Sequence, residues 1–251
     1  MLKKETVLLI DVSNSFTKFA TARNGFIGRV TRMPTTEITP KSFSVTKGKT
    51  DRAVISSVVP KIDNILSRSL TCPALWVDHR VQSGIRINYP KPSSIGADRL
   101  ANAAAAVAGK KLPAIIVDFG TAVTFDVIDN DGYYLGGIIA PGLPTAASAL
   151  HERTALLPMT RIRKISASVG KSTEEAIQIG LLLGAVGLVR EAVTRIRKEL
   201  FHGKKPILIA TGGDAALVGK LALQDGGKAV FDRVDPLLTL RGLLVIAEKN
   251  P

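Results

Sequence analysis

A pattern of thirteen residues occurs twice in this chain, 107 positions apart and without a gap, and it constrains the fold more than any other feature. Leu8-Leu9-Ile10-Asp11-Val12-Ser13-Asn14-Ser15-Phe16-Thr17-Lys18-Phe19-Ala20 returns as Ile115-Ile116-Val117-Asp118-Phe119-Gly120-Thr121-Ala122-Val123-Thr124-Phe125-Asp126-Val127. Each copy reads as an apolar strand ending in an acid, a short polar turn, and a second strand. Asp11 falls on Asp118, Thr17 on Thr124, and the turn Asn24-Gly25 on Asp131-Gly132. Such a match implies two related halves, each opening with a β-hairpin that carries an acid and hydroxyls at its tip. Two tips facing one another across a cleft would form a phosphate and metal site.

The remaining elements follow the same plan. Strands are expected over 6–12, 16–22 and 26–33, with the Asn24-Gly25 turn between the last two. Residues 34–50 read as a loop with a short helix at most. A strand around Ala53 to Ile55, a helical stretch over 61–70 and a strand over 74–77 come next, followed by a proline-broken extended segment from Ile85 to Ser94. Gly96-Ala97-Asp98-Arg99 opens an alanine-rich helix to Ala108, which Gly109 to Pro113 ends. The second half has strands over 114–118, 122–128 and 133–139, then a helix through Leu150. A capping box, Ser172 with Glu175, starts a long helix over 173–199. A strand over 207–210 runs into Thr211-Gly212-Gly213-Asp214, and a helix over 236–248 closes the chain. Strands lead and helices follow in each half, so the class is α/β built twice. The boundary is expected after residue 108, giving domains 1–108, with Asp11 and Asp98, and 109–251, with Asp118 and the Gly212-Gly213 loop. Along the long helix, Ala176, Gly180, Gly184 and Gly187 make a narrow small-residue face. It suits close approach by another helix, in this chain or in a partner.

Composition bounds the function classes. Apolar residues make up 45% and charged residues 22%, as in a globular protein rather than a disordered one. The apolar stretch Ile179 to Val189 is short for a bilayer span and holds three glycines. No signal peptide is expected, because the first apolar run contains Asp11 and lacks a cleavage pattern. The single cysteine, Cys72, excludes an internal disulfide and fits a cytoplasmic location. The net charge of +13 favours anionic ligands. The basic clusters, among them Lys47-Gly48-Lys49 and Arg161-Ile162-Arg163-Lys164, are scattered with few aromatics between them, so nucleic acid is not the expected partner.

A strand-end acid with hydroxyl neighbours suits phosphoryl transfer, where carboxylates hold Mg²⁺ and backbone N–H groups cradle phosphate oxygens. Asp11 with Asn14, Ser15, Thr17 and Lys18 would do this. A lone hairpin of this kind is better explained by turn chemistry, but the second copy at Asp118 reverses that preference, because turn chemistry gives no reason for both halves to match. Thr211-Gly212-Gly213 is a weaker close-approach loop. Asp98, in the first turn of a helix, has a plain alternative as a dipole-stabilising acid. His79, His151 and His202 show no metal-ligand spacing.

The motifs together resemble the type III pantothenate kinases, of the acetate kinase/sugar kinase/Hsp70/actin superfamily. The resemblance spans nearly the whole chain. It rests on Asp11-Val12-Ser13-Asn14, Tyr89 before Gly96-Ala97-Asp98-Arg99, Asp118-Phe119-Gly120-Thr121-Ala122, Gly136-Gly137-Ile138-Ile139-Ala140-Pro141-Gly142-Leu143, Leu157-Pro158, Gly170 to Gln178, and Thr211-Gly212-Gly213-Asp214. It implies two duplicated RNase H-like, actin-like ATPase domains with a nucleotide cleft between them. It also implies ATP-dependent phosphorylation of pantothenate, the first committed step to coenzyme A. By matched position Asp98 would be the general base. Tyr89, Gly96, Ala97, Asp98, Arg99 and Thr173 would line the pantothenate pocket. Asp11, Val12, Ser13, Asn14, Ser15, Phe16, Thr17, Lys18 and Thr121 would contact ATP, with Asp11 also serving Mg²⁺. Asp118 would hold the K⁺ or NH₄⁺ that the family requires, and the assembly would be a homodimer without membrane association. Ser13 stands where the family usually has glycine, and Ser15-Phe16 replaces a more polar pair. The rival readings are a regulatory or accessory protein on the same fold and a kinase of another small hydroxyl substrate.

Overall fold

The computed structural model describes residues 5–46, 50–165, 167–224 and 230–251. The Lys47-Gly48-Lys49 cluster lies outside them. In chain order the strands and helices are β1 (Thr6–Val12), β2 (Phe16–Arg23), β3 (Phe26–Ile27), β4 (Thr31–Pro34), β5 (Arg52–Ser57), α1 (Pro60–Ser69), β6 (Ala74–Trp76), β7 (Arg86–Ile87) and α2 (Ala97–Ala108). They continue with β8 (Ala114–Phe119), β9 (Ala122–Ile128), β10 (Tyr133–Pro141), α3 (Leu143–Arg153), α4 (Thr173–Leu200), β11 (Ile207–Gly212), α5 (Ala215–Gln224), β12 (Arg233–Val234) and α6 (Leu238–Lys249). Two compact units result: Met1–Lys111 with Gly132–Tyr134 and Leu237–Pro251, and Leu112–Asp131 with Leu135–Pro236.

In unit 1 the sheet runs β3-β2-β1-β5-β6, with β4 also on β2. The β1–β2 hairpin is antiparallel and β5 adds in parallel, so β1 is central and buried on both faces. Asn24 and Gly25 both have positive φ, 53° and 78°, the turn geometry that an Asn-Gly pair serves at low cost. Leu8, Ile10, Val12, Ala53 and Ile55 form one face of the sheet with Phe19, Ile62 and Leu66 beneath it. Helices α2 and α6 pack on the other face. Although α6 ends the chain, it belongs to unit 1, because alanines on α2 leave room for it. A Cβ on Gly242 would lie 1.8 Å from the Ala101 carbonyl oxygen, so only glycine permits the approach. Thr239 Oγ1 donates to Asn102 Oδ1 across the same contact, at 2.9 Å.

In unit 2 the strand order is β12-β11-β8-β9-β10, with β11 parallel and β9 antiparallel to β8. The core gathers Ile115, Val117, Phe119, Val123, Phe125 and Val127 with Leu182, Val186, Val189 and Ile196 of α4. Ser172 caps α4 by accepting from Glu175 N–H at 3.2 Å, and Glu175 accepts in turn from Lys171 N–H at 2.8 Å. At 28 residues α4 is long and apolar enough to cross a bilayer by length and composition alone. Its buried residues, however, lie on one side and pack into the unit 2 core, as in an amphipathic helix of a globular unit. On the other side Gly180, Gly184 and Gly187 meet nothing within 4 Å. Among the described residues the small-residue face is thus open at these three glycines, while Gly170 packs against its first member, Ala176.

The two hairpins are not superposable residue for residue. In the first, Val12 pairs with Thr17 and Asp11 with Lys18. In the second, Phe119 pairs with Val123 and Asp118 with Thr124. The second loop is one residue shorter, and a one-residue slip reverses the face of every following side chain. Thr17 and Thr124, equated by the sequence match, thus lie on opposite faces relative to their acids. Helix α5 and strand β12 were not anticipated from the sequence.

Candidate active site

Unit 1 carries two of the expected groups of residues. The first is the β1–β2 tip. Asp11 ends β1 with only 3% of its surface exposed, and Ser13, Asn14 and Ser15 form the turn, closed by Ser13 N–H donating to Phe16 O at 3.2 Å. Thr35 anchors this turn from outside it. Its hydroxyl donates to Ser13 O at 2.7 Å, and its N–H donates to Ser15 O at 3.0 Å. Thr17 is fully buried on the side away from Asp11, its hydroxyl 3.0 Å from that of Thr35. Lys18 is the residue across from Asp11. Phe16 is partly exposed, with the Arg32 guanidinium stacked 3.3 Å from its ring centre. Positive φ at residues other than glycine occurs, among the described residues, at Asn24, Lys110 and His202. Serine at position 13 therefore does not need the left-handed backbone that would favour glycine.

The second group surrounds the start of α2. Gly96 is the N-cap, Ala97 is buried, and Asp98 and Arg99 follow in the first turn, half-buried. Asp98 Oδ1 accepts from Arg99 N–H at 2.8 Å and folds over Gly96, where a Cβ would come within 2.5 Å of it. Burial pushes the Asp98 carboxyl above its ordinary value of 3.8, and the Arg99 N–H and guanidinium offset part of that rise. Strand β7 pairs in parallel with Tyr133 and Tyr134, and Asn88 N–H donates to Tyr134 O at 3.0 Å. This places Tyr89 edge-on to Tyr134, with ring centres 6.1 Å apart. Arg99 lies 5.9 Å from the same Tyr134 ring. Tyr89, Arg99 and the helix carrying Asp98 thus converge around one buried tyrosine.

In unit 2, Asp118 is half-buried at the end of β8, beside Thr124 on β9 and Thr211 on β11. Gly212, at φ +93°, closes against it: a Cβ there would lie 2.5 Å from Asp118 Oδ1 and 2.4 Å from Phe119 O. Only glycine suits both that backbone and that contact. Thr121 is exposed at the hairpin tip, and its carbonyl accepts from Thr145 Oγ1 at 2.6 Å and from Gly142 N–H at 2.9 Å. Thr173 is exposed at the first turn of α4. No group of three or more His, Cys, Asp or Glu is placed to hold a metal among the described residues. A Mg²⁺ that keeps its waters and binds through phosphates and one carboxylate does not require such a cage.

The family model for type III pantothenate kinase matches residues 7–195, which include both hairpin tips, α2 and the start of α4. The chain belongs to the type III pantothenate kinase family. A type III pantothenate kinase of Akkermansia muciniphila is 42% identical over 98% of this chain and 99% of its own length. Among solved structures, a conserved Campylobacter jejuni protein described as a Baf family transcriptional activator matches at a TM-score of 0.62, with 21% identity over 97% of this chain and 98% of that one. The activator of the 2-hydroxyisocaproyl-CoA dehydratase from Clostridium difficile, solved with bound ADPNP, matches at 0.51, with 11% identity over 98% and 93%. At such identities the likeness shows the fold alone, that of the two-domain actin-like ATPases and sugar kinases.

Three residues of this family member that shape the candidate site escaped the sequence reading. Thr35 lies in a segment without periodicity, and Tyr134 read as one more strand residue. Thr145 is one of many helix-start hydroxyls. None carries a local signal, because each matters through a contact distant in the chain.

Proposed function

We propose that this protein transfers the γ-phosphoryl group of ATP to the primary hydroxyl of pantothenate, giving 4′-phosphopantothenate and ADP at the entry to coenzyme A synthesis. The observation that carries this is the family match across residues 7–195, together with a raised carboxyl, Asp98, seated beside Arg99, Tyr89 and Tyr134. In the reaction the pantothenate oxygen forms a bond to the γ-phosphorus, the bond from that phosphorus to the β-phosphate oxygen breaks, and the hydroxyl proton passes to Asp98. A loose transition state needs that proton taken late, so positioning matters more than strong basicity. Arg99 is the cation for the pantothenate carboxylate, and Tyr89 gives an aromatic wall to its apolar stem. Gly96 and Ala97, at the start of the same helix, and Thr173, at the start of α4, are likewise assigned to pantothenate. Residues 11 to 18 are assigned to the ATP phosphates through turn N–H groups and hydroxyls, with Thr17 acting through Thr35 to fix the turn, and Thr121 is assigned to ATP as well.

As a kinase the protein uses ATP with a divalent ion, which neutralises phosphate charge when bound. Asp11 is the carboxylate we assign to it, a hard oxygen donor of the kind Mg²⁺ prefers. Asp118, paired in the sheet with Thr124 and Thr211, is assigned to K⁺ or NH₄⁺. Replacing K⁺ by Na⁺ is expected to lower kcat/KM about tenfold, and Asp118→Asn to abolish the difference between the ions. Equal rates in K⁺ and Na⁺ for the wild-type enzyme would remove that role.

We also assign the protein to the cytoplasm and to a homodimer. The open face of Gly180, Gly184 and Gly187 flanks a groove of about 490 Å³ lined by Ile179, Leu183, Val186 and Leu221, and Leu183 is 60% exposed. That surface suits a second copy. Gly184→Leu is expected to shift the protein to monomer in sedimentation equilibrium, and a variant that stays dimeric would exclude this face. A coupled assay with ATP, Mg²⁺, K⁺ and a panel of small alcohols tests the whole reading. Turnover of pantothenate above all others is expected; no turnover at saturating ATP would overturn it in favour of a regulatory role.

A further inference from the structure

Asp11 and Ser56 are neighbours across the parallel pair of β1 and β5. The alternate residues of both strands, Ile10, Val12 and Ile55, point into the core on the other side of the sheet. Both polar side chains therefore project toward the face on which α2 and α6 pack. Ser56 is completely buried, and its Oγ has no hydrogen-bond partner among the described residues. An unsatisfied buried hydroxyl is a standing cost to a fold, and alanine would occupy the same space without it. The position makes sense when the missing partner arrives with a ligand.

We propose that Ser56 is a positioning residue of the divalent-ion site, holding a water of the hydrated ion beside Asp11. The inference rests on the assignment of Asp11 to Mg²⁺ made above. The donor set fits: no cluster of three acids is at hand among the described residues, so most of the ion's shell would be water and phosphate oxygen. A hydroxyl next to the one carboxylate can accept from such a water and fix its position. This also explains the choice of serine at the inner end of a strand whose other buried positions, Ala53, Val54 and Ile55, are apolar.

The test compares Ser56→Ala, Ser56→Thr and Asp11→Asn with the wild type. Mn²⁺ binding in the presence of ADP is read by electron paramagnetic resonance, alongside the Mg²⁺ activation constant, pantothenate KM and the metal-free melting temperature. Ser56→Ala is expected to weaken Mn²⁺ binding and raise the Mg²⁺ constant about tenfold, within the range seen for outer-shell partners. Its pantothenate KM should be unchanged and its metal-free melting temperature equal or higher. Ser56→Thr, which keeps the hydroxyl, should stay within about twofold of the wild type in ion binding. Unaltered Mn²⁺ binding in Ser56→Ala, with Asp11→Asn impaired, would overturn the role of Ser56 and leave that of Asp11 standing. Unaltered binding in Asp11→Asn would instead remove the Asp11 assignment and this inference with it. Weakened binding that comes with a lower metal-free melting temperature and is not restored by threonine would reduce Ser56 to a packing residue.

Discussion

Asp98→Asn is expected to lower kcat for pantothenate phosphorylation by about 10²–10⁴-fold, the usual contribution of a positioned general base. The substitution keeps the shape of the side chain and the oxygen that accepts from Arg99 N–H. KM for both substrates should move little. Stability should move in the opposite direction to activity. Burial holds the Asp98 carboxyl above its ordinary value of 3.8, so the folded state disfavours the ionised form. For a carboxyl raised on folding, the stabilising contribution is present below the unfolded value and is lost as pH rises through the folded one. At pH 7 to 8 the ionised group thus works against the fold, and Asn relieves it. Calorimetry should find the variant melting at or above the wild type at pH 8, with the difference narrowing as the pH falls toward 3.8. A variant that keeps full turnover would end the assignment of Asp98 as base. One that melts well below the wild type at every pH would show a structural carboxylate instead.

Gly242→Ala should be the most damaging single methyl group in unit 1. Its Cβ would fall 1.8 Å from the Ala101 carbonyl oxygen and 2.4 Å from the carbonyl carbon, both backbone atoms of α2 that cannot rotate away. Overpacking of a tight core contact costs about 1–3 kcal/mol and occasionally more. Here the helices themselves have to separate, so we expect about 3 kcal/mol, or a fall of roughly 6–12 °C in melting temperature. Because α2 carries Asp98 and Arg99, kcat should also fall at temperatures where the variant is still folded. A melting temperature within a degree or so of the wild type would mean that α2 and α6 do not approach this closely in solution.

Much of this was legible in the sequence. The repeated strand-acid-turn pattern announced two hairpins, since burying a central strand on both faces demands a run such as Val7 to Ile10, and an acid is tolerated only at the end of it. Capping at Ser172 and Glu175, and the turn at Asn24-Gly25, are local chemistry, and both took the form expected of them. The family motifs likewise named the residues around which the kinase reading is built.

Tertiary structure decided what depends on partners distant in the chain. The hairpins differ by one residue of loop length, so Lys18 rather than Thr17 faces with Asp11; ladder register comes from how the strands close and cannot be read from an ungapped match. Thr35 became the anchor of the first turn, and Tyr134 the post around which Tyr89 and Arg99 gather, through contacts spanning 22 and 45 residues in the one case given by Thr35 to Ser13 and in the other by Tyr89 to Tyr134. The last helix returned to unit 1 because α2 and Gly242 together leave backbone room for it, a fit that neither segment displays alone. Local propensity sets which elements form, and burial across the fold sets which of their side chains meet.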